Sequence, residues 1–466
     1  MHADDNTHVT GIPHVFTTLF LIIILSAVAT WVVPAGQYDR DRAGSRGSVI
    51  TPGSYSPAER NPMGLMDALS TVHRGMVSAA ETVFFVFVTF ASISLMVATG
   101  AFHALIAKLL SMFDGKARLL VIPLFITLIG LASSTMAVFE EMFAFIPLFV
   151  SAALAMGFDA LVGMAIVALG IGLGTSGAFL NPFTVGIAQN IAGLSLYSGA
   201  GYRIFCHMLM VTVASAYVMV YAYRISHRPE LGLMYGHKPK NPHIDEKILR
   251  EYPMKVRHCL VLLTMIAGVV LIIWGVLTRG WFFEQLMAIY LTMGVSSGLM
   301  MGWSPDKISH KWAEGASEIT STCLKIALAK GIVLILQNSN VLDTLIHWIA
   351  SPMAGLPRWA AAESMLLFQT ALNFIVPSGS GQAVVSMPIM VPLSDLLGVS
   401  RQTAVLAFQF GDGISNILWI TGSMPIICKF AKVPPRKWLR WFAPLFVLIL
   451  ATQMLCIAGA LLIDYR

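Results

Sequence analysis

Charged residues are scarce in this sequence. Asp, Glu, Lys and Arg make up 12% of its 466 residues, about half of the ~25% usual in soluble domains. So few charges cannot cover a water-facing surface of this size. With 56% hydrophobic residues and a mean hydropathy of +0.75, an ordinary soluble enzyme or binding domain is excluded. Cysteine is also sparse and unpatterned: Cys206, Cys259, Cys323, Cys428 and Cys456 are odd in number, form no C-x-x-C pair and mostly sit in apolar segments. They fit neither a disulfide framework nor a metal site and read as small packing residues. Basic residues are missing from residues 1–13, which hold Asp4 and Asp5. The apolar run His14–Val33 therefore lacks a signal peptide's basic n-region and is expected to be a retained first span. The net charge of +6 does not imply a nucleic-acid partner, because Lys and Arg cluster between apolar runs, where they orient spans toward the cytoplasm.

Apolar runs of about 20 residues, the length that crosses a bilayer, recur along the chain. The first ends at Pro34-Ala35-Gly36, and residues 37–74 form a polar loop. A second span covers 78–100, followed by an amphipathic stretch, His103–Phe113, suited to the interface. Leu119–Leu131 and Ala137–Met156 flank the polar Ser133-Ser134-Thr135, predicting a re-entrant hairpin over 119–156 with its break at those hydroxyls. Ala160–Leu173 runs into Gly174-Thr175-Ser176-Gly177 and Asn181-Pro182, predicting a helix that unwinds midway. Phe205–Tyr223 closes the first half. Residues 224–257 are hydrophilic, with eight Lys or Arg against four acids, and Lys429–Arg440 has five basic residues and no acid. Both are expected to face the cytoplasm. The second half carries spans at 258–278, 283–302 and 315–337, an interfacial stretch 341–350, a hairpin 359–397, a broken helix 402–427 and a last span at 441–462.

The halves 1–223 and 258–466, joined by the linker 224–257, repeat each other. A shift of 240 residues puts Gly75 on Gly315 and Leu105 on Leu345; 245 puts Ser133 on Ser378, Thr135 on Ser380 and Pro147 on Pro392; 241 puts Gly157 on Gly398, Gly170 on Gly411 and Gly172 on Gly413. Counted from the cytoplasmic loop, 78–100 runs inward and 315–337 outward, with the extra span at 283–302 supplying the inversion. The expected fold is an all-α polytopic membrane protein of two inverted-topology repeats, with re-entrant hairpins and broken helices in matching places. That pattern is the signature of secondary transporters, which bind substrate near the midplane between repeats.

Candidate site residues follow from polar groups at membrane depth. Ser133, Ser134 and Thr135 in one tip, and Ser378 and Ser380 in the other, offer hydroxyls and free backbone groups; helix capping is their structural role. Glu140 and Glu141 follow the first tip inside an apolar arm, where ionisable residues are costly and usually functional. They point about 100° apart on a helix, so one can face the site while the other packs or caps. Asp412, between Gly411 and Gly413 in an expected helix break, is the candidate partner for a coupling ion, with Thr175 and Thr421, or for a substrate ammonium. Asn181, Gln189, Gln382, Asn416 and Thr421 supply orienting hydrogen bonds. Lys325 and Lys330 lie in the 315–337 span and are expected to snorkel or pair with an acid rather than touch substrate.

Two other classes compete. Gly174-Thr175-Ser176-Gly177, with His207 on the next span, satisfies the G-x-S-G pattern of an intramembrane serine protease, but a protease does not explain a repeat. The residues before Asp412 are Gln409-Phe410-Gly411, not the G-x-G-D of the aspartyl type. Two hairpins converging on one site suit alternating access better than a channel pore.

The residues also carry a resemblance. Asn373–Gly413 (NFIVPSGSGQAVVSMPIMVPLSDLLGVSRQTAVLAFQFGDG), Gly186–Gly193 (GIAQNIAG), Asn181-Pro182-Phe183, Phe158-Asp159-Ala160-Leu161 and the Glu140-Glu141 pair resemble the YfcC-type carriers. These are grouped with the C4-dicarboxylate anaerobic carriers in the ion transporter superfamily. The resemblance implies an inner-membrane secondary transporter, not an enzyme, forming a homodimer whose scaffold holds a mobile domain that moves like an elevator. Related carriers take C4-dicarboxylates or exchange basic amino acids of the arginine/ornithine type. The tips Ser133–Glu141 and Asn373–Gln382 hold two acids and no basic residue, which favours a cationic or zwitterionic amino acid, with a dicarboxylate as the alternative. No bound cofactor is expected beyond a coupling Na⁺ or H⁺.

Overall fold

The computed structural model describes residues 15–43, 47–51, 53–110, 119–236, 253–353 and 355–465. The acidic amino terminus, the end of the predicted interfacial stretch at 111–113 and the middle of the basic linker, 237–252, lie outside them.

Helix α1 (Val15–Val32) leads into four short strands: β1 (Gly36–Gln37) pairs antiparallel with β4 (Ser56–Pro57), and β2 (Arg40–Ala43) with β3 (Gly47–Ile50). Arg40 donates to the Asp343 carboxylate, its Nη1 at 2.8 Å from Oδ2, and so ties this region to the second half of the chain. Helices α2 (Leu65–Ser78) and α3 (Ala80–Ala98) meet at Ala79, and α4 (Ala101–Leu110) follows. The first hairpin is α5 (Val121–Met136), a 3₁₀ segment Glu140–Phe145 and α6 (Ile146–Ala155). The first broken helix is α7 (Ala160–Ser176), a π turn Pro182–Gly186 and α8 (Ile187–Ile191), followed by α9 (Ala200–His227). Two further helices, α10 (Val256–Arg279) and α11 (Phe283–Met300), precede the second series. That series is α12 (Pro305–Asn338), α13 (Leu342–Met353), the hairpin α14 (Arg358–Ile375) and α15 (Gly379–Leu396), the broken helix α16 (Arg401–Gly413) and α17 (Met424–Ala431), and α18 (Pro435–Leu462).

The two series follow the same order of elements. Helices of 14 and 19 residues flank Ala79 in the first, where α12 has 34 residues in the second. Each series closes on a helix of 28 residues, α9 and α18. Among the described residues five helices, α3, α9, α12, α18 and the Val256–Val276 part of α10, are long and apolar enough to cross a membrane. With several such apolar helices, the chain is a multi-pass membrane protein.

Three boundaries differ from expectation. The span predicted at 315–337 begins at Pro305, because the Ser304 side chain accepts the Lys307 N–H and Pro305 suits the first helical position. The predicted loop 37–74 contains the strands and the start of α2. The first hairpin does not break at Ser133–Thr135. Ser134 and Thr135 return their hydroxyls to Leu131 O at 3.1 and 2.7 Å, so the helix carries them without loss. The break comes at Ala137, whose φ of 55° is left-handed.

Packing separates the helices into two groups. In one, α3 and α2 lie along α12, with α1 also on α12, α11 on α3 and α10 on α11. In the other, α5, α6 and α9 surround α7, while α14, α15 and α7 surround α16, with α18 on α9 and α14. The groups meet chiefly where α15 passes α12 and α13. Between helices in lipid, close packing rather than the hydrophobic effect drives association, so small residues mark the crossings. A Cβ on Gly75 would stand 2.7 Å from Gly331 N, and one on Gly315 would stand 3.1 Å from Ala91 Cα. The two glycines related by the 240-residue shift thus both sit where the α2–α3 arm touches α12. Every residue of α7 is buried, as are Gln402–Gly413 of α16, so these two helices form the centre of the second group.

Candidate site at the hairpin tips and helix breaks

Both tips and both breaks converge on one cavity of about 220 Å³. The first hairpin contributes Ala137, Phe139 and Glu140, and the first broken helix contributes Thr175, Asn181, Phe183 and Thr184. Pro377–Ser380 come from the second hairpin, and Asp412, Asn416 and Ser423 from the second broken helix. Val86, Phe90, Ile319 and Lys325 of α3 and α12 close the wall. Local sequence explains the breaks. The Asn181 side chain accepts from Phe183 N and Thr184 N at 2.9 and 3.1 Å, capping a helix restarted by Pro182. Ser378 caps α15 by accepting from Gly381 N, after Pro377 has ended the previous arm.

These ends set the electrostatics. Helices α5, α7, α14 and α16 end here, and the negative ends of their dipoles favour a cation. The N-terminus of α15 begins at Gly379 beside them and favours an anion. A Cβ on Gly379 would lie 2.7 Å from both Asp412 Oδ2 and Thr184 Cγ2, so only glycine lets this helix end approach the carboxylate. Asp412 is fully buried. Its Oδ1 accepts from Asn373 Nδ2 at 3.0 Å and Asn416 Nδ2 at 3.1 Å. Among the described residues its Oδ2 makes no hydrogen bond, and neither do the buried Thr184 Oγ1 and Asn373 Oδ1. Leaving buried polar atoms unsatisfied costs about 1–3 kcal/mol each, and Asp412 and Thr184 both line the cavity.

The remaining predicted residues divide into lining and support. Ser378, Ser380, Thr175, Asn181, Asn416 and Glu140 line the cavity. Ser133 supports it, its Oγ 3.2 Å from Thr175 Oγ1 and its carbonyl accepting from Asn181 Nδ2 at 3.3 Å; the Ser134 carbonyl accepts from Leu180 N at 3.1 Å. Thr135 bonds only its own helix. Gln382 donates to Gln369 O and Oε1, both at 2.8 Å, and accepts from Asn373 at 3.1 Å, holding the second hairpin's arms together. Gln189 bonds Tyr197 N, Ser198 and Gln402. The Glu141 side chain lies outside the described residues. Asp412 is not in the break itself: α16 runs through Gly413, and the chain leaves helical form after Ile417. Gly411 and Gly413 act as spacers, with Cβ positions 2.7 Å from Thr370 N and within 2.4 Å of Ser176. Thr421 caps the other arm by donating to Phe374 O at 2.7 Å. The protease pattern has no dyad, because Ser176 Oγ accepts from Ile414 N at 2.7 Å and faces Phe410 O at 3.4 Å.

Sequence reasoning named Lys325 but set it apart from the substrate, and it did not single out Thr184 or Asn373. Lys325 lines the cavity together with Glu140, so the tips are not free of positive charge. Asn373 and Thr184 carried a usable signal, polar side chains inside apolar arms. Behind the site, the buried Arg203 donates to Gln402 Oε1 (2.9 Å), Tyr465 Oη (3.1 Å) and Gln409 Oε1 (3.4 Å). Gln409 in turn donates to Thr175 O and Ala178 O at 3.2 and 2.7 Å, fixing the broken end of α7.

Known proteins resemble this chain in sequence and in fold. The chain is 30% identical over 503 residues to the protein named "Putative basic amino acid antiporter YfcC" of Escherichia coli (strain K12), covering 98% of this chain and 97% of that one. An uncharacterized protein of Haemophilus influenzae is 28% identical over 492 residues, with 96% of each covered. Among solved structures, the Alcanivorax borkumensis YdaH transporter matches with a TM-score of 0.72 at 14% identity, covering 97% of this chain and 99% of that one. MtrF of Neisseria gonorrhoeae, described with a class of antimetabolite efflux pumps, matches with a TM-score of 0.72 at 17% identity, covering 96% and 95%. These two share the fold. The family model for the C4-dicarboxylate anaerobic carriers matches residues 12–462, and the chain belongs to that family.

Proposed function

We propose that this carrier exchanges basic amino acids of the arginine/ornithine type across the bacterial inner membrane, with the 224–257 linker in the cytoplasm. One observation carries the reading: the cavity joining both tips and both breaks holds charges of both signs, Glu140 and Asp412 against Lys325. Lys325 and the α15 N-terminus meet the substrate carboxylate, Glu140 meets the cationic side chain, and Ser378, Ser380, Asn181 and Asn416 orient it. Ser133, Ser134, Thr135 and Gln382 act from behind, with Glu141 the alternative partner to Glu140. Asp412, with Asn373 and Thr184, takes the coupling Na⁺ or H⁺, and Gly411, Gly413, Thr175 and Thr421 hold that end of the site in shape.

The two helix series are inverted repeats, 1–223 and 258–466, and the two packing groups are scaffold and transport domain. The site lies on their boundary, which suits elevator movement of one group along α12. The carrier works as a homodimer, testable by mass photometry in nanodiscs. A C4-dicarboxylate is the second reading, favoured by Lys325 and the α15 N-terminus.

Counterflow in proteoliposomes decides between them. Labelled arginine entering only ornithine-loaded vesicles is the expected result. Succinate entering in its place overturns the amino acid reading.

A further inference from the structure

A second, larger cavity of about 390 Å³ lies between the same two helix groups and shares no lining residue with the first. Its volume falls within the ~300–1,000 Å³ of small-molecule sites. Its walls are the α2–α3 junction (Ser78–Thr82), the end of α8 (Asn190, Ile191), α12 (Ile326, Lys330, Val333, Gln337) and the outer part of α15 (Pro388, Pro392, Asp395). Helix α9 runs toward the 237–252 loop, and α10, α11 and α12 alternate from it. The cavity therefore lies toward the membrane face opposite that loop.

Most charges on its wall are already neutralised. Arg401 holds Asp395 through two bonds, Nε to Oδ1 at 2.9 Å and Nη2 to Oδ2 at 2.7 Å, and Arg40 holds Asp343. Two titratable side chains remain. Half-buried Lys330 sits about 12 Å inside the end of α12, at 1.5 Å rise per residue, and Glu81 is exposed in the first turn of α3. Among the described residues neither has an ion-pair partner, and they do not pair with each other. A lone ammonium at membrane depth is expensive and by default functional.

We infer that this cavity is a receiving site for the zwitterionic head of a free amino acid, with Lys330 taking the carboxylate and Glu81 the ammonium. The inference rests on the amino acid reading of the central site and adds a second station on the face opposite the basic loop. Val83 O lies beside Cys323 and Gly75 beside Gly331, so Glu81 sits deeper than Lys330, and substrate arriving there is oriented ammonium-inward before the hairpin and scaffold open a path to the tips.

The test uses right-side-out and inverted membrane vesicles carrying the full chain, with empty-vector vesicles subtracted. Half-saturation by arginine is measured from each face for wild type, Lys330→Gln and Lys330→Arg. Agmatine, which lacks the carboxylate, serves as the control ligand. Lys330→Gln should raise half-saturation by arginine about tenfold from the face opposite the loop only. Lys330→Arg should restore it, and inhibition by agmatine should not respond to either change. Equal shifts from both faces, equal effects on agmatine, or no shift in a variant that still exchanges arginine overturn the inference alone. Wild-type vesicles that carry succinate and not arginine overturn the amino acid reading, and this site falls with it.

Discussion

Gly379→Ala tests how tightly the second hairpin tip is built against the proposed coupling site. The new methyl would stand 2.7 Å from Thr184 Cγ2 and 2.7 Å from Asp412 Oδ2, against a favourable carbon–carbon separation of about 3.5–4.0 Å. Neither neighbour gives way easily. Asp412 is held by Asn373 and Asn416 at 3.0 and 3.1 Å, and Thr184 follows the Asn181 cap. Overpacking of this kind costs about 1–3 kcal/mol, or roughly 5- to 150-fold in an equilibrium constant. The cost falls on the closed site, so half-saturation by substrate should rise by that factor. Gly381→Ala is the control two residues along the same turn. Its Cβ would find Ser378 Oγ at 3.2 Å and Ser378 Cβ at 3.4 Å, a short side chain on the tip that can yield. Removing a glycine from a helix position can stabilise by about 0.4–1 kcal/mol, so this variant should transport as wild type. Both are assayed by counterflow in proteoliposomes after size-exclusion confirms folded protein. Wild-type half-saturation in Gly379→Ala, or equal losses in the two variants, refutes the close approach of α15 to Asp412.

Other substitutions separate chemistry from support. Asp412→Asn keeps the shape of a buried side chain and removes its charge, so coupled transport should be abolished while thermal stability is retained; ion-driven uptake at the wild-type rate contradicts the coupling role. Lys325→Gln should weaken arginine at least tenfold and leave agmatine unaffected in competition assays, because only arginine has the carboxylate. Gln409→Leu leaves the Ala178 carbonyl without the donor it has at 2.7 Å, costing about 1–3 kcal/mol, and strips Thr175 O of its side-chain donor, so it should lower the melting temperature as well as transport; an unchanged melting curve shows that the α7 break is held by other contacts.

Much of the architecture was legible in the sequence because lipid simplifies the code. Apolar length marked α9, α10 and α18, while Pro377 with Ser378, and Asn181 with Pro182, marked breaks that the chain does make. Gly75 and Gly315, matched by the 240-residue shift, both pack at crossings between α12 and the α2–α3 arm. The first tip was misplaced by local reasoning. Hydroxyls at 133–135 read as a break, yet serine and threonine can satisfy themselves within a helix, and the left-handed turn falls on Ala137, a residue with no such signal. Lys325 was named but set apart from the tips for a different reason. A charge count over the tips cannot include a residue on α12 brought to the cavity wall by packing, and that same packing revealed Thr184 beside Asp412.

The central claim is that tips and breaks from both halves form one amino acid site beside α12. Solving the structure with arginine bound, by cryo-electron microscopy in nanodiscs, tests it most directly. The account predicts ligand density with its carboxylate at Lys325 and Gly379 and its guanidinium at Glu140. Protein that exchanges arginine yet shows ligand only in contact with residues outside this cavity and the Lys330 cavity would contradict it.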